Sequence, residues 1–178
     1  MEGAWQIATG QLVSLSEQQI VDCSTDFGTE ACKGGSVQAG IAYSVRAQLT
    51  NDASYPYKAK AGSCEEHNDM IMIPKGGVVG YKTVQPLDDQ ALMEAVAKQP
   101  VAVAIEADQT VFQLYTGGVL SNDACGSNID HAVTVVGYGS DNGQDYWLAK
   151  NSWGPTWGDH GYVRLARGKP NGGECGIT

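Results

Sequence analysis

Two polar side chains beside strand-like runs in the second half of the chain have types suited to acid–base chemistry. His131 begins an apolar, β-branched run that ends at Gly139, and Asn151 follows a second strand-like run, residues 146–148. A histidine exchanges a proton near neutral pH, and an amide can orient its ring through a neutral hydrogen bond. Trp153, two residues further on, could cover that bond and lower the local dielectric. The spacing predicts a base and its orienting group.

These residues also have structural explanations. A lone histidine at the start of a strand is more simply a buried structural residue, and an asparagine before serine and glycine favours a turn. The combination of His131 with Asn151 and Trp153 favours the catalytic interpretation over the structural one. Trp5 and Trp147 are expected in the core, and Trp157 fits either the core or the site.

Composition restricts the class of protein. The chain has 178 residues, a formal net charge of −9 and no basic cluster, so we expect no nucleic-acid partner. No apolar run is long enough to span a bilayer, and we expect no membrane partner. The first residues show neither the charged nor the apolar region of a signal peptide. The spacings of the cysteines and histidines match no zinc site, so we expect no metal. We also expect no other cofactor. His67 is expected to be solvated.

The cysteines indicate an oxidising compartment. Their wide and irregular spacing in a glycine-rich chain is typical of disulfides rather than of metal ligands. Because their number is odd, one of them is either a free thiol or has its partner outside this chain. The five are Cys23, Cys32, Cys64, Cys125 and Cys175.

The hydrophobic pattern changes along the chain from helical to strand-like. The first part has helical spacing in residues 1–10 and helices capped by Ser16 and Ser36. No N-cap precedes Met1, so we expect the first helix to begin upstream of it. The second part has a helix capped by Asp88 and is otherwise an antiparallel sheet or barrel. Its predicted strands cover residues 78–84, 101–105, 131–139, 145–150 and 161–167.

Several short motifs follow one another over the whole chain: Ser14–Gln19, Asp22-Cys23, Cys32–Gly35, Tyr55–Tyr57, Asp130–Val133, Gly137–Gly139, Lys150–Gly154, Trp157-Gly158, Gly161-Tyr162 and Cys175-Gly176. In this order they resemble papain-like cysteine endopeptidases of the plant papain and cathepsin L group. The resemblance implies an α+β papain-like fold, with a helical left lobe over residues 1–82 and an antiparallel β-barrel right lobe over residues 83–178. It also implies hydrolysis of peptide bonds through an acyl-thioester, with a peptide or protein as substrate.

The resemblance assigns roles to individual residues. His131 corresponds to the catalytic histidine, Asn151 to the asparagine that orients it, and Trp153 to the covering indole. The expected substrate-binding residues are Gly34, Gly35, Ser36, Val37, Ala104, Ile129, Ala132, Trp153 and Trp157. Five of them are small or apolar and imply a pocket for an apolar side chain. The two glycines would let a substrate backbone approach closely.

The family's nucleophile lies in a Cys-Gly-Ser-Cys-Trp motif that does not occur in these residues. We expect it roughly ten residues upstream of Met1, in a chain truncated at its N-terminus. The resemblance pairs Cys23 with Cys64 and Cys125 with Cys175, and leaves Cys32 for a cysteine of the absent motif. Cys32 follows a loop rather than a helix start, so we do not expect it to be the nucleophile.

Three functions follow from these expectations. In the first, the sequence belongs to a cysteine endopeptidase, and this chain alone is inactive because it lacks the nucleophile. The alternative is a non-catalytic papain-like protein that binds peptides or partners. The third is activity restored by a separate N-terminal segment. A secreted, vacuolar or lysosomal location is implied by the family and by the disulfides, without a signal peptide in this chain.

Overall fold

The computed structural model describes residues 1–65 and 70–177, so the prediction for His67 lies outside the described residues. The chain divides into two compact units, Met1–Lys82 and Thr83–Thr178. Helices dominate the first unit and a sheet dominates the second, which confirms the α+β class. Within the described part, every helix is too short or too polar to cross a membrane.

Three helices and a short β-ladder are described in the first unit. The helices are α1 (Glu2–Thr9), α2 (Glu17–Cys23) and α3 (Val37–Arg46), with 3₁₀ turns at Thr25–Phe27 and Ala31–Lys33. Strands β1 (Leu49–Thr50) and β2 (Ile71–Ile73) pair antiparallel. Leu15, Tyr43, Leu49 and Ile73 form the buried core of this unit.

Local capping chemistry fixes the ends of these helices. Ser16 Oγ accepts the Gln19 amide at 3.0 Å and Ser36 Oγ accepts the Ala39 amide at 3.1 Å, which confirms both predicted N-caps. Helix α1 ends at Gly10, whose φ of 78° suits a glycine. The expected second half of the capping box is absent at Gln19, because its buried amide accepts the Thr50 N–H instead.

The second unit is built on a five-stranded sheet whose described strands have the order β3-β5-β6-β7-β4. The helices of this unit are α4 (Asp89–Val96) and α5 (Thr110–Gln113), and its strands are β3 (Val101–Ile105), β4 (Val119–Leu120), β5 (His131–Asp141), β6 (Gln144–Lys150) and β7 (Tyr162–Ala166). Neighbouring strands run antiparallel except β4, which is parallel to β7. Its core includes the fully buried Trp147 and Phe112.

The sheet differs from the expected antiparallel barrel. A barrel closes only when its two edge strands pair with each other. Among the described residues, the edge strands β3 and β4 do not pair, and β4 contributes two residues that bond to β7. The second unit therefore contains an open sheet with one parallel edge.

One predicted strand is also wrong. Residues 78–84 are irregular in the structure, although most of them have strand-forming side chains: Val78, Val79, Tyr81, Thr83 and Val84. Val79 is 90% exposed, and Gly80 has a φ of 148°. β-branched residues favour strands chiefly when they pack on a sheet surface, and this segment has no described partner strand.

The hairpin of β5 and β6 follows the sequence closely. Asn142 and Gly143 connect the strands with positive φ values of 51° and 82°. This combination is typical of a type I′ turn, which matches the twist of the two strands. The turn predicted at residues 141–143 is confirmed, and it sets the pairing of β5 with β6.

Tyr55 generates a prediction about stability at high pH. Its hydroxyl donates to Asp22 Oδ2 at 2.9 Å, and burial, followed by the nearby carboxylates, raises the pKa of Tyr55 to about 12. The folded protein therefore keeps the phenol neutral while the unfolded chain ionises near pH ~10. Stability present below pH ~10 should be lost as the pH rises towards 12.

Urea unfolding monitored as a function of pH would measure this loss. The free energy of unfolding of the wild type should fall across that window, whereas Tyr55→Phe should show a shallower fall. Equal slopes for the two proteins would contradict the assignment. Tyr57→Phe is the matched control, since Tyr57 is 60% exposed.

Candidate active site

His131 and Asn151 lie at the same end of the β5–β6 hairpin. His131 is the first residue of β5 and is opposite Ile105, the last residue of β3. Asn151 directly follows β6, whose last residue, Lys150, is opposite Thr134. Because β5 and β6 run antiparallel, the start of one meets the end of the other. Trp153 follows two residues after Asn151, and its ring lies beside the His131 ring.

A hydrogen bond of 2.8 Å joins His131 Nε2 to Asn151 Oδ1. The Ser152 backbone N–H donates to the same oxygen, also at 2.8 Å. A backbone N–H can only donate, so the shared atom must be the amide oxygen and not its nitrogen. His131 Nε2 must then carry the hydrogen. In the neutral ring, the lone pair is left on Nδ1.

Asn151 is held in place by its surroundings. It is only 7% exposed, and its backbone N–H donates to the Gly161 carbonyl at 3.0 Å. Its Nδ2 is buried and has no hydrogen-bond partner among the described residues. The amide is therefore oriented through its oxygen, by one backbone donor and one imidazole donor.

Aromatic rings pack beside this hydrogen bond. The Trp153 ring lies 5.2 Å from the His131 ring, with an interplanar angle of 38°. It also makes edge contacts with Phe112 at 5.5 Å and with Trp157 at 5.2 Å. Trp157 is fixed in turn, because its Nε1–H donates to the Gln113 carbonyl at 3.0 Å. Such aromatic contacts are stabilising, so Trp153 lies beside the imidazole and packs on Phe112 and Trp157.

Phe112 is fully buried and contacts both Trp153 and Trp157, although nothing in the sequence predictions singled it out. The helix that carries it, α5, has only four residues. A segment this short shows no helical periodicity. The available signal was the pair of aromatic residues Phe112 and Tyr115 at a spacing of three.

The predicted substrate-binding residues form two separate sets. In the second unit, Ala104 and Ala132 are directly opposite each other across β3 and β5, and both are exposed. Ile129, two residues before His131, is 53% exposed. These three side chains give small apolar surface at the end of the sheet that carries His131.

The other set lies in the first unit, where residues 34–37 join a 3₁₀ turn to α3. A Cβ on Gly35 would lie 2.8 Å from the Thr29 Cβ, so packing alone requires a glycine there. Gly34 has a φ of 113° and open space where its Cβ would be. Ser36 caps α3 and is followed by Val37, the first residue of that helix.

The cysteines are mostly oxidised. Disulfides join Cys23 to Cys64 and Cys125 to Cys175, and Cys32 is free and exposed. Glu174 lies close to the second disulfide, and the three donor atoms are near enough together to suggest a metal site. The two sulfurs are bonded to each other, so they offer no thiolate to a metal.

The second unit thus holds a histidine ring against an asparagine oxygen and beside a tryptophan ring. The chain matches the family model described as papain family cysteine protease over residues 1–178, and it belongs to that family. It is 44% identical over 184 residues to cysteine proteinase 3 of Dictyostelium discoideum, covering 100% of this chain and 52% of the relative. The curated relatives are longer, and the chain spans about half of their length or less.

Solved structures of cysteine proteases are similar to this chain in fold and sequence. The Carica candamarcensis cysteine protease CMS1MS2, in complex with E-64, is 39% identical and has a TM-score of 0.88, covering 99% of this chain and 79% of that chain. The Amb a 11 cysteine protease, a major ragweed pollen allergen, in its proform, is 41% identical with a TM-score of 0.89, covering 99% and 47%. The papain-like fold predicted from the motifs is confirmed.

Trp153 provides a test of the site's geometry. In Trp153→Ala, water should reach the His131–Asn151 hydrogen bond, and the Nε2–H proton should exchange with solvent about tenfold faster. Imidazole N–H signals in proton NMR would measure this exchange. Tyr138→Ala is the matched control, since Tyr138 is 39% exposed and packs on Trp147 rather than on His131, while Trp153 is 40% exposed. Equal exchange rates in the two variants would contradict a covering role.

Proposed function

We propose that this chain carries the base half of a cysteine endopeptidase active site, with His131 as the base and Asn151 as its orienting group. The observation that carries the proposal is the shared Asn151 oxygen, which accepts from both Ser152 N–H and His131 Nε2. Because Nε2–H is hydrogen-bonded to the asparagine, Nδ1 is the ring nitrogen that remains for proton transfer.

The proposed reaction follows the order that this tautomer permits. Nδ1 takes the proton of a cysteine thiol, and the thiolate attacks the carbonyl carbon of the scissile peptide bond. The imidazolium then gives that proton from Nδ1 to the leaving amine, and an acyl-thioester remains. Nδ1 next takes a proton from water, which attacks the thioester carbonyl carbon and releases the acid, and the imidazolium returns that proton to the leaving thiolate. The neutral Asn151 holds the ring without neutralising its positive charge.

The nucleophile in this proposal comes from outside these 178 residues. Four of the five cysteines are in disulfides. The remaining one, Cys32, lies in a three-residue 3₁₀ turn, which offers no α-helix N-terminus to stabilise a thiolate. We infer that Cys32 is a structural half-cystine and that the chain alone has no peptidase activity.

The proposed substrate is a peptide or protein with an apolar side chain two residues before the scissile bond. Ala104, Ala132 and Ile129 support this, because they are exposed and small or apolar. Ala132 follows His131 and is opposite Ala104, and Ile129 lies two residues before His131. On the first unit, Gly34 has the open space that a substrate backbone needs. In the first unit we assign Gly34 and Gly35 to backbone binding and Ser36 and Val37 to contacts with an apolar side chain. In the second unit we assign Trp157 to the leaving-group side.

We also propose a compartment and a class of substrate for the protein. The two disulfides are typical of an oxidising compartment. A secreted, vacuolar or lysosomal location agrees with them. The charge of −9 without a basic cluster favours peptide substrates over nucleic acid.

A second candidate function is peptide binding without turnover by the chain alone. The exposed Ala104–Ala132 pair and Ile129 favour it, because this surface exists whether or not a nucleophile is present. It would be observed as saturable binding of an apolar peptide that is not cleaved.

Thiol-dependent hydrolysis of a peptide substrate would test both candidates. We expect no turnover by the 178-residue chain and turnover when a peptide carrying the Cys-Gly-Ser-Cys-Trp helix is added or encoded upstream. His131→Ala should then lower the rate about a hundred- to ten-thousandfold. His160→Asn is the control, since His160 lies in an exposed turn with a φ of 53°, a conformation that asparagine tolerates.

Two results would contradict the proposal. Turnover by the chain alone that disappears in Cys32→Ser would make Cys32 the nucleophile. Full activity of His131→Ala in the complemented protein would show that His131 is not the base.

A further inference from the structure

Glu106 is a buried carboxylate that the proposed reaction does not use. It directly follows β3 and is only 2% exposed. Its neighbour in the chain, Ile105, is opposite His131 in the β3–β5 ladder. Burying a carboxylate is costly unless its oxygens are hydrogen-bonded. The bonds that Glu106 makes therefore indicate its role.

Both oxygens of Glu106 accept hydrogen bonds. Oε1 accepts from Gln109 Nε2 at 2.7 Å, and Oε2 makes a short hydrogen bond to the backbone N–H of Asn128. A matching bond runs the other way, because Asp130 Oδ1 accepts the backbone N–H of Ala107 at 2.8 Å. Segments 106–107 and 128–130 thus each provide a carboxylate to a backbone N–H of the other. We call this pair of bonds the carboxylate clasp.

The clasp is continuous with the ladder that begins at His131. The Asp130 N–H donates to the Ile105 carbonyl at 3.1 Å, immediately before the His131–Ile105 pair. Ile129 lies between the two residues that the clasp holds. The backbone on both sides of Ile129, and immediately before His131, is therefore fixed by bonds that begin at residues 105–107.

Close packing around Glu106 supports a specific fit. Gly126 has a φ of 74°, and a Cβ at that position would overlap the Glu106 carboxylate. On the other side, the Glu106 backbone N–H donates to the Cys175 carbonyl at 2.9 Å. The carboxylate thus lies against the turn that leads to Asn128, on a strand end anchored next to the disulfide.

We propose that Glu106 is a positioning residue, which sets the His131 ring against Asn151 and the Ile129 side chain at the substrate surface by holding the 128–130 backbone. The naming of His131 as the base rests on the proposed function. The placement of its ring by Glu106 does not, and it can be measured without peptidase activity.

The hydrogen-bond pattern needs a carboxylate rather than an amide. A glutamine at this position would keep one oxygen for Asn128 and turn its NH₂ towards the Gln109 NH₂. Gln109 cannot simply reverse its own amide, because its Nε2 also donates to Asp108 Oδ1 at 2.9 Å. In Glu106→Gln, two donors would face each other, so the clasp should loosen at nearly unchanged side-chain volume.

Glu174 offers a matched control in the same unit. It is also 2% exposed, and its Oε1 accepts a backbone N–H, that of Asn122, at 2.9 Å. Its other oxygen is paired with Lys169 Nζ at 2.8 Å. Glu174→Gln therefore removes the same charge, and the described partners of its carboxylate, Asn122 and Lys169, lie outside residues 128–130.

The experiment compares both variants of the full 178-residue chain with the wild type by NMR. In Glu106→Gln, we expect the His131 ring ¹⁵N and ¹H signals to shift, and its Nε2–H to exchange about tenfold faster. In Glu174→Gln, the His131 signals should stay at their wild-type positions. Unchanged His131 signals in a folded Glu106→Gln would overturn the proposal, as would equal shifts in both variants.

A measurement on the wild type covers the case in which Glu106→Gln does not fold. In hydrogen exchange at low denaturant, the amides of Asn128 and Ala107 should open together with the His131 Nε2–H, with one common denaturant dependence. Independent opening of the ring would overturn the proposal. Absence of peptidase activity in the complemented protein would contradict the proposed function and would leave this result unchanged.

Discussion

The site depends on one acceptor atom, the side-chain oxygen of Asn151. Two donors share it, the backbone N–H of Ser152 and the Nε2–H of His131, each at 2.8 Å. The backbone donor determines which end of the amide faces the ring, and this in turn determines which ring nitrogen carries the hydrogen. The hydrogen bond to a neutral amide thus determines which nitrogen of His131 is free to accept a proton. A carboxylate in the same place would hold the ring equally well, but it would also stabilise the imidazolium by its charge.

The sheet makes this contact by simple geometry. A type I′ turn at Asn142-Gly143 closes the β5–β6 hairpin, and the opposite end of that hairpin then brings His131, Asn151 and Trp153 together. Aromatic contacts around Trp153 and the carboxylate clasp before His131 both support this end of the sheet. The position of His131 is therefore determined by backbone pairing and by side chains that take no part in the proposed reaction.

Local signals in the sequence predicted much of this arrangement. Ser16, Ser36 and Asp88 accept the expected backbone amides because capping needs only neighbouring residues. The His131–Asn151 pair is predicted from the residue types beside two strand-like runs and from motif order, since separation along the chain alone does not show that two residues meet. Contacts distant in sequence were the ones missed. Residues 78–84 have strand-forming side chains but no described partner strand, and Glu106, within an apolar run, gave no sign that its carboxylate would be buried against Asn128.

The tautomer of His131 tests the central claim most directly, because it follows from the shared oxygen alone. Long-range ¹H–¹⁵N correlation spectra of the wild-type chain, recorded where the ring is neutral, distinguish a protonated from an unprotonated ring nitrogen. The structure predicts one tautomer, with the hydrogen on Nε2 and a lone pair on Nδ1. A hydrogen on Nδ1, or a mixture of both tautomers, would mean that Asn151 does not orient the ring, and the proposed order of proton transfers would fail with it.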